Sequence, residues 1–156
     1  METTAKNLEK VRTMADYQFG KGCGSALFPD DVKFQLSRTK RVRQIMHGGK
    51  RLATVRAKDG MLTLSMDAAK IVHKLVPGPG LRVVVCEDAA PFVAKGKTAF
   101  AKHVVDIDKS LRAGEEVLVV DEDDELLATG QLLLCPEEIL FMDAGMAVDV
   151  RRGRDQ

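Results

Sequence analysis

The run Pro77-Gly78-Pro79-Gly80 limits most strongly what this chain can fold into, because it lies halfway along 156 residues. Proline lacks the backbone N–H that regular elements need and glycine weakens them, so their alternation ends a helix and favours a linker. Each half is long enough for a small domain, although a core of that size gives only marginal stability. The sequence therefore predicts two domains of the α+β class, 1–80 and 81–156.

The first half carries the patterns of helices and a small antiparallel sheet. Thr4 can cap a helix in which Leu8, Val11 and Met14 recur every three residues. Farther on, apolar and polar residues alternate in short runs separated by glycine-containing turns, which is typical of an antiparallel meander. The predicted elements are a helix at 4–14, strands at 32–36, 42–46, 52–55 and 61–64, and a helix at 67–76.

The second half begins with Leu81–Val85, a continuous apolar run of strand length. Pro91–Lys95 follows as a short apolar turn closed by Gly96, a residue that readily adopts the left-handed conformation that ends a helix. Runs rich in apolar and β-branched residues then predict strands at 99–105, 117–120 and 126–134. The acidic segment Asp121–Asp124 is too polar to bury and is predicted to be a solvated hairpin turn.

Taken in order, these segments resemble the PUA domain of RNA-modifying proteins. The resemblance is carried by the glycine-closed turn with its lysines, by RAGEEVLVVD at 112–121 and by LLATG at 126–130. It implies a mixed β pseudo-barrel with short helices, in which 135–140 is the second short helix and 145–152 the closing strand.

The first half is similar to the region that precedes the PUA domain in archaeosine tRNA-guanine transglycosylase and archaeosine synthase. The similar segments are 15–20, 26–29 and 60–64. The resemblance covers nearly the whole chain, but it reaches only the C-terminal, RNA-binding part of those enzymes. No residue here matches the catalytic aspartates or the zinc site of their barrel domain, so the chain is not expected to be an enzyme by itself.

The turn around Gly96 is the main candidate site. On the residues alone, Lys95, Lys97, Lys102 and His103 indicate a solvated basic face, with Gly96 as a helix cap. The family resemblance implies more, because PUA domains receive RNA in a groove between the helix-to-strand turn and the last strand. The RNA-binding residues that it implies are Lys95, Gly96, Lys97, Thr98, Phe100, Lys102, Arg151 and Arg152.

A second basic region is visible because the charges are segregated, although the formal net charge is only +1. No Asp or Glu occurs from Val32 to Lys58. In a meander, one sheet face could present several of its cations to a phosphate backbone; alternatively, they pair with the acidic hairpin of a neighbouring molecule. The cations of this secondary basic face are Lys33, Arg41, Arg43, Arg51 and Arg56. Since the chain has six Phe, one Tyr and no Trp, duplex recognition is favoured over base stacking.

The cysteines offer little chemistry. Cys23, Cys86 and Cys135 are odd in number and widely spaced, which fits neither a disulfide framework nor a zinc site. Cys23 lies in the glycine-rich Gly20–Gly24 segment. This segment lacks the flanking residues that a phosphate-binding loop requires, so a flexible connection is favoured. No catalytic residue, metal or cofactor is expected. Without an N-terminal apolar segment or a membrane-spanning run, the chain is expected in the cytoplasm and not in a membrane.

The leading hypothesis is therefore an RNA-binding protein without catalytic activity. By resemblance it would grip tRNA, through the acceptor stem, for a separately encoded transglycosylase-like subunit of the archaeosine pathway. The alternative is a protein-interaction module that binds an acidic partner and has no RNA function. An enzyme that uses Cys23 is the least supported hypothesis, since nothing in the sequence supplies a base or cofactor.

Overall fold

The computed structural model describes residues 2–142 and 144–156. The chain divides into two compact units, Met1–Val76 (unit 1) and Pro77–Gln156 (unit 2). The predicted linker Pro77–Gly80 thus lies in unit 2, where it forms a turn with a hydrogen bond of 3.0 Å from the Gly80 N–H to the Pro77 carbonyl. No helix in the part of the chain that is described is long and apolar enough to cross a membrane.

Unit 1 is an antiparallel four-stranded sheet with helices, as predicted. Ile45, Ala53 and Leu64 stand side by side on neighbouring strands, and each is fully buried. This row marks the core face of the sheet. The elements are α1 (Glu2–Phe19), α2 (Cys23–Leu27), β1 (Lys33–Leu36), β2 (Val42–His47), β3 (Lys50–Val55), β4 (Leu62–Leu64) and α3 (Met66–Leu75).

Helix α1 is longer than predicted, and the segment after it is not a flexible connection. Val11, Ala15 and Phe19 are buried at a spacing of four, so the apolar stripe continues past Met14. Gly24 belongs to α2 and packs directly on α1, where a Cβ would overlap the backbone of Arg12. The glycine is therefore explained by close helix packing and not by flexibility.

Unit 2 is a nearly closed, mixed six-stranded pseudo-barrel with short helices, which confirms the predicted fold class. The sheet order is β6-β10-β9-β8-β5-β7, with β5 and β8 parallel and the other pairs antiparallel. Its elements are β5 (Arg82–Val85), α4 (Ala90–Ala94), β6 (Ala99–Phe100), β7 (Val104–Ile107), β8 (Glu116–Val120), β9 (Leu126–Leu132), α5 (Pro136–Phe141) and β10 (Met146–Gly153).

The strand predicted at 99–105 is two strands that lie at opposite edges of the sheet. A 3-10 turn at Ala101–His103 separates them, and the Ala101 N–H donates to the Gly145 carbonyl at 2.9 Å. β6 pairs with β10, whereas β7 pairs with β5. Because so short a turn joins the two edges, it brings them together and nearly closes the barrel.

Candidate nucleic-acid interface

The turn that follows α4 has a defined backbone geometry. Gly96 has φ of 95°, in the left-handed region that glycine adopts without steric cost. Its N–H donates to the Val93 carbonyl at 2.9 Å, and the Lys97 N–H donates to the Phe92 carbonyl at 3.1 Å. This pair of bonds is the Schellman motif, which satisfies the last carbonyls of the helix and fixes the direction in which the chain leaves it.

The end of the chain packs beneath this turn. The Asp155 N–H donates to the Ala94 carbonyl at 2.7 Å, and the Gly153 N–H donates to the Gln156 side-chain oxygen at 2.9 Å. A Cβ on Gly153 would overlap the backbone of Ala94, and one on Gly96 would lie 2.6 Å from the Gln156 amide oxygen. Two glycines therefore let the last strand and the turn touch, and sequence reasoning missed the second.

The cations around the turn have no partner in residues 2–142 and 144–156. The side chains of Lys95, Lys97, Lys102 and Arg152 are exposed and make no hydrogen bond or ion pair there. Thr98 is half-buried, while Phe100 is 41% exposed and meets His103 edge to face, with 6.4 Å between ring centroids. The geometry thus presents unpaired positive charge and one accessible aromatic ring, a combination suited to a phosphate backbone. These residues, with Gly96, are called the groove below.

Arg151 differs from the other predicted site residues because it has a structural partner. Its guanidinium donates to both carboxylate oxygens of Glu116, with 2.6 Å from Nη1 to Oε2. The Glu116 side chain is 1% exposed, and Thr129 donates to it at 3.2 Å. A buried carboxylate needs such a counter-charge, so Arg151 serves the interior of the barrel.

Three of the five cations of the secondary basic face line one cleft. Arg41, Arg43 and Arg56 line a cleft of about 670 Å³ in unit 1, which Lys33 and Arg51 do not line. The cleft lies between α1 and the turns at one end of the sheet. Lys10, from α1, also lines it, although its place in the sequence gave no sign of this.

Comparison with known families identifies both units. The family described as "Patch-forming domain C2 of tRNA-guanine transglycosylase" matches residues 9–79, and the PUA domain matches residues 81–154. The chain is a C2 domain followed by a PUA domain. This confirms the resemblance that the sequence motifs indicated.

Archaeal tRNA-guanine(15) transglycosylases are among the curated proteins that are similar to this chain. The one from Methanothermobacter thermautotrophicus is 48% identical over 154 residues, which are 98% of this chain and 24% of that protein. The one from Thermococcus kodakarensis is 54% identical over 144 residues, which are 92% of this chain and 24% of that protein. The chain thus spans about a quarter of the length of these relatives.

Solved structures with a similar fold cover nearly the whole chain. A hypothetical protein from Pyrococcus horikoshii superposes with a TM-score of 0.73 at 21% identity, covering 97% of this chain and 92% of that one. A conserved PUA domain protein from Thermoplasma acidophilum superposes with a TM-score of 0.64 at 19% identity, covering 98% and 91%. At these identities the likeness concerns the fold alone.

The thiol of the C2 domain does not have the surroundings of a nucleophile. Cys23 is 1% exposed, burial raises the pKa of its thiol, and the nearby Asp16 carboxylate raises that pKa further. A raised pKa keeps the thiol protonated at neutral pH, where it is a poor nucleophile. Within the described residues, no group of three or more His, Cys, Asp and Glu could hold a metal ion.

Proposed function

We propose that this chain binds tRNA through the groove of its PUA domain, as a free-standing accessory or split subunit of a tRNA-modifying enzyme of the archaeosine pathway. The observation that carries the proposal is the 48% identity to a tRNA-guanine(15) transglycosylase across 98% of the chain. Near-complete coverage at this identity favours a shared binding partner. The acceptor stem is the expected part of the tRNA.

The groove supports this proposal through its charges and its backbone. Four side chains form no ion pair with the described residues: Lys95, Lys97, Lys102 and Arg152. Each can therefore contact an RNA phosphate and release the counterion condensed on the RNA there. Gly96 leaves room for the Gln156 side chain, so the turn that carries the lysines stays packed against the end of the last strand. Phosphate contacts of this kind position RNA by shape and charge, which suits a duplex stem.

We assign the chemistry of modification to a separate subunit, since residues 2–142 and 144–156 offer neither an activated nucleophile nor a general base placed beside one. The expected partner is a transglycosylase-like catalytic chain. Co-purification from the source cells tests this assignment: a catalytic chain without its own PUA domain should be retained with this protein. Base exchange on tRNA by the purified chain alone would overturn it.

Substitution of Lys97 tests the groove. Lys97→Ala should weaken tRNA binding by about threefold to tenfold at low salt and reduce the slope of log K against log salt by about one or less, because one phosphate contact is lost. Gel-shift or anisotropy titrations over a salt series measure both quantities. The fold should be unchanged, because the Lys97 side chain has no partner within the described chain.

Lys109 is the matched control within the PUA domain. It is exposed and lies outside the groove, between Asp108 and Ser110. Lys109→Ala should leave affinity and salt slope nearly unchanged. Equal losses in the two variants, or an unchanged affinity in Lys97→Ala, would show that the groove does not bind the RNA.

A further inference from the structure

The cleft of the C2 domain is bordered by a rigid hairpin. The β1–β2 turn is closed by a 2.8 Å bond from the Ser37 N–H to the Arg41 carbonyl, and the Arg41 N–H donates to the Ser37 hydroxyl at 3.2 Å. Lys40 has φ of 63°, as in a three-residue hairpin loop that ends in a left-handed residue. The backbone that carries Arg41 is therefore held by hydrogen bonds within the turn.

The second border is the β3–β4 turn, in which Arg56 compensates the negative charge of Asp59. Asp59 is the acidic residue among the described lining, and Arg56 donates to both of its oxygens at 3.1 and 2.7 Å. The Met61 N–H donates to the same carboxylate at 3.0 Å. Since Asp59 is compensated in this way, it does not cancel the charge of the other cations around the cleft.

Four cations remain around the cleft. Lys10, Arg41, Arg43 and Lys58 line it and form no hydrogen bond or ion pair through their side chains with residues 2–142 or 144–156. Like charges held near one another repel, and a bound anion relieves that repulsion. Arginine is also the residue best shaped to grip a phosphate, because its guanidinium donates two parallel hydrogen bonds.

The floor of the cleft is apolar. Met14, Val42 and Val55 are half-buried and line the same space as the cations. A volume of about 670 Å³ lies within the range of small-ligand sites, about 300–1,000 Å³. A ligand that fills the cleft therefore needs an anionic group to contact the cations and an apolar part to contact the floor.

We infer that this cleft receives one unpaired nucleotide of a bound RNA, with its phosphate among Arg41, Arg43 and the two lysines and its base or ribose on the apolar floor. A paired nucleotide cannot do this, because its base stays stacked within the helix and leaves the phosphate, the 2′-hydroxyl and the base edge to be contacted. An extruded nucleotide brings both parts, and apolar side chains commonly receive such bases. The inference rests on the proposed RNA binding, but it concerns a site separate from the PUA groove.

The test compares three RNA hairpins with the same stem: fully paired, with one bulged nucleotide, and with the bulge made abasic. Anisotropy titrations at fixed salt measure their affinities for the full chain. We expect the bulged hairpin to bind about tenfold more tightly than the paired one, which is the scale of one charge-assisted contact. The abasic bulge should recover only part of that gain, because the floor is then unfilled.

Two matched pairs of variants locate the effect. Arg41→Ala should remove the preference for the bulge, whereas Arg38→Ala, in the same hairpin but outside the cleft lining, should keep it. Lys10→Ala and Lys6→Ala form the second pair, one turn apart on α1, and only Lys10 lines the cleft. Thermal melting of each variant checks that the fold is retained.

The remaining outcomes separate this inference from the proposed function. If paired and bulged hairpins bind equally and Lys97→Ala weakens both, the cleft assignment is wrong and the RNA-binding function stands. If no hairpin and no tRNA binds, both are wrong. If free AMP or GMP binds with a dependence on Arg41 while the bulge gives no advantage, the cleft serves free nucleotides, which also overturns the inference.

Discussion

Arg151 and Arg152, which the sequence resemblance assigns together to RNA binding, have different surroundings. Arg151 lies on the last strand beside Arg152, and the two cannot be told apart by position in the sequence. The structure separates them, because one guanidinium compensates a carboxylate that is 1% exposed and the other is exposed without an ion pair in the described chain. Their substitution should therefore affect different properties.

We predict that Arg151→Ala lowers the free energy of unfolding by about 3 kcal/mol, because it leaves the Glu116 carboxylate buried without its counter-charge. Arg152→Ala should change stability by less than about 0.5 kcal/mol, as substitutions of exposed side chains usually do, while it weakens RNA binding. Urea denaturation measures the first effect and titration with tRNA the second. A stable Arg151→Ala variant would mean that water solvates Glu116 well enough by itself.

At the scale of elements, the groove depends on contact between α4 and the end of β10. The turn at Gly96 and the strand end at Gly153 pack backbone against backbone, and the Asp155 N–H ties them with a 2.7 Å bond to Ala94. The last residues are part of the structure that holds the lysine-bearing turn in place.

Gly153→Ala should disrupt this contact, because the new Cβ would overlap the Ala94 backbone, and backbone cannot move aside as a flexible side chain can. We expect a loss of more than about 2 kcal/mol in stability, faster amide exchange at Gly96 and Lys97, and weaker tRNA binding. Hydrogen exchange resolved by residue measures the local effect. Asp149→Ala, at an exposed position on the same strand, should leave exchange at the turn unchanged.

At the scale of the whole molecule, the net charge of +1 conceals two oppositely charged units. Residues 1–76 contain 15 Lys and Arg and 7 Asp and Glu, whereas residues 77–156 contain 9 and 16. The C2 domain is thus the basic unit, while the PUA domain is acidic overall but carries Lys95, Lys97, Lys102 and Arg152 in the groove. This distribution favours phosphate contacts in the C2 domain as well as in the groove.

Limited proteolysis tests the division into two units. A non-specific protease should cut first at Pro77–Gly80, where Pro77, Gly78 and Pro79 are exposed, and leave two resistant fragments. The Gly20–Gly24 segment, expected from sequence to be flexible, should resist because Cys23 and Gly24 are buried against α1. Early cleavage within β8 or β9 would contradict this division, since nearly all residues of these strands are buried. Mass spectrometry of the first fragments identifies the sites.

The sequence by itself determined the fold class, most of the elements and the main candidate groove. These features have local causes: alternation over a few residues marks a strand, and a glycine after a short apolar run ends a helix. The segments 112–121 and 126–130 carried enough of the PUA pattern to imply the rest of that barrel. Local signals are complete within about ten residues, so no tertiary information was needed to see them.

Only the tertiary structure decided which distant residues meet. The partnership of Arg151 with Glu116, the contact of Gly24 with Arg12 and the position of Lys10 at the C2 cleft join residues far apart in sequence. The local sequence around such a residue does not indicate its distant contact, because strand register and helix packing set the distance between the two. A charged residue in a sequence is therefore only a candidate for ligand binding. If its side chain pairs with a buried residue, as Arg151 does with Glu116, it is held in the fold and is less available to a ligand.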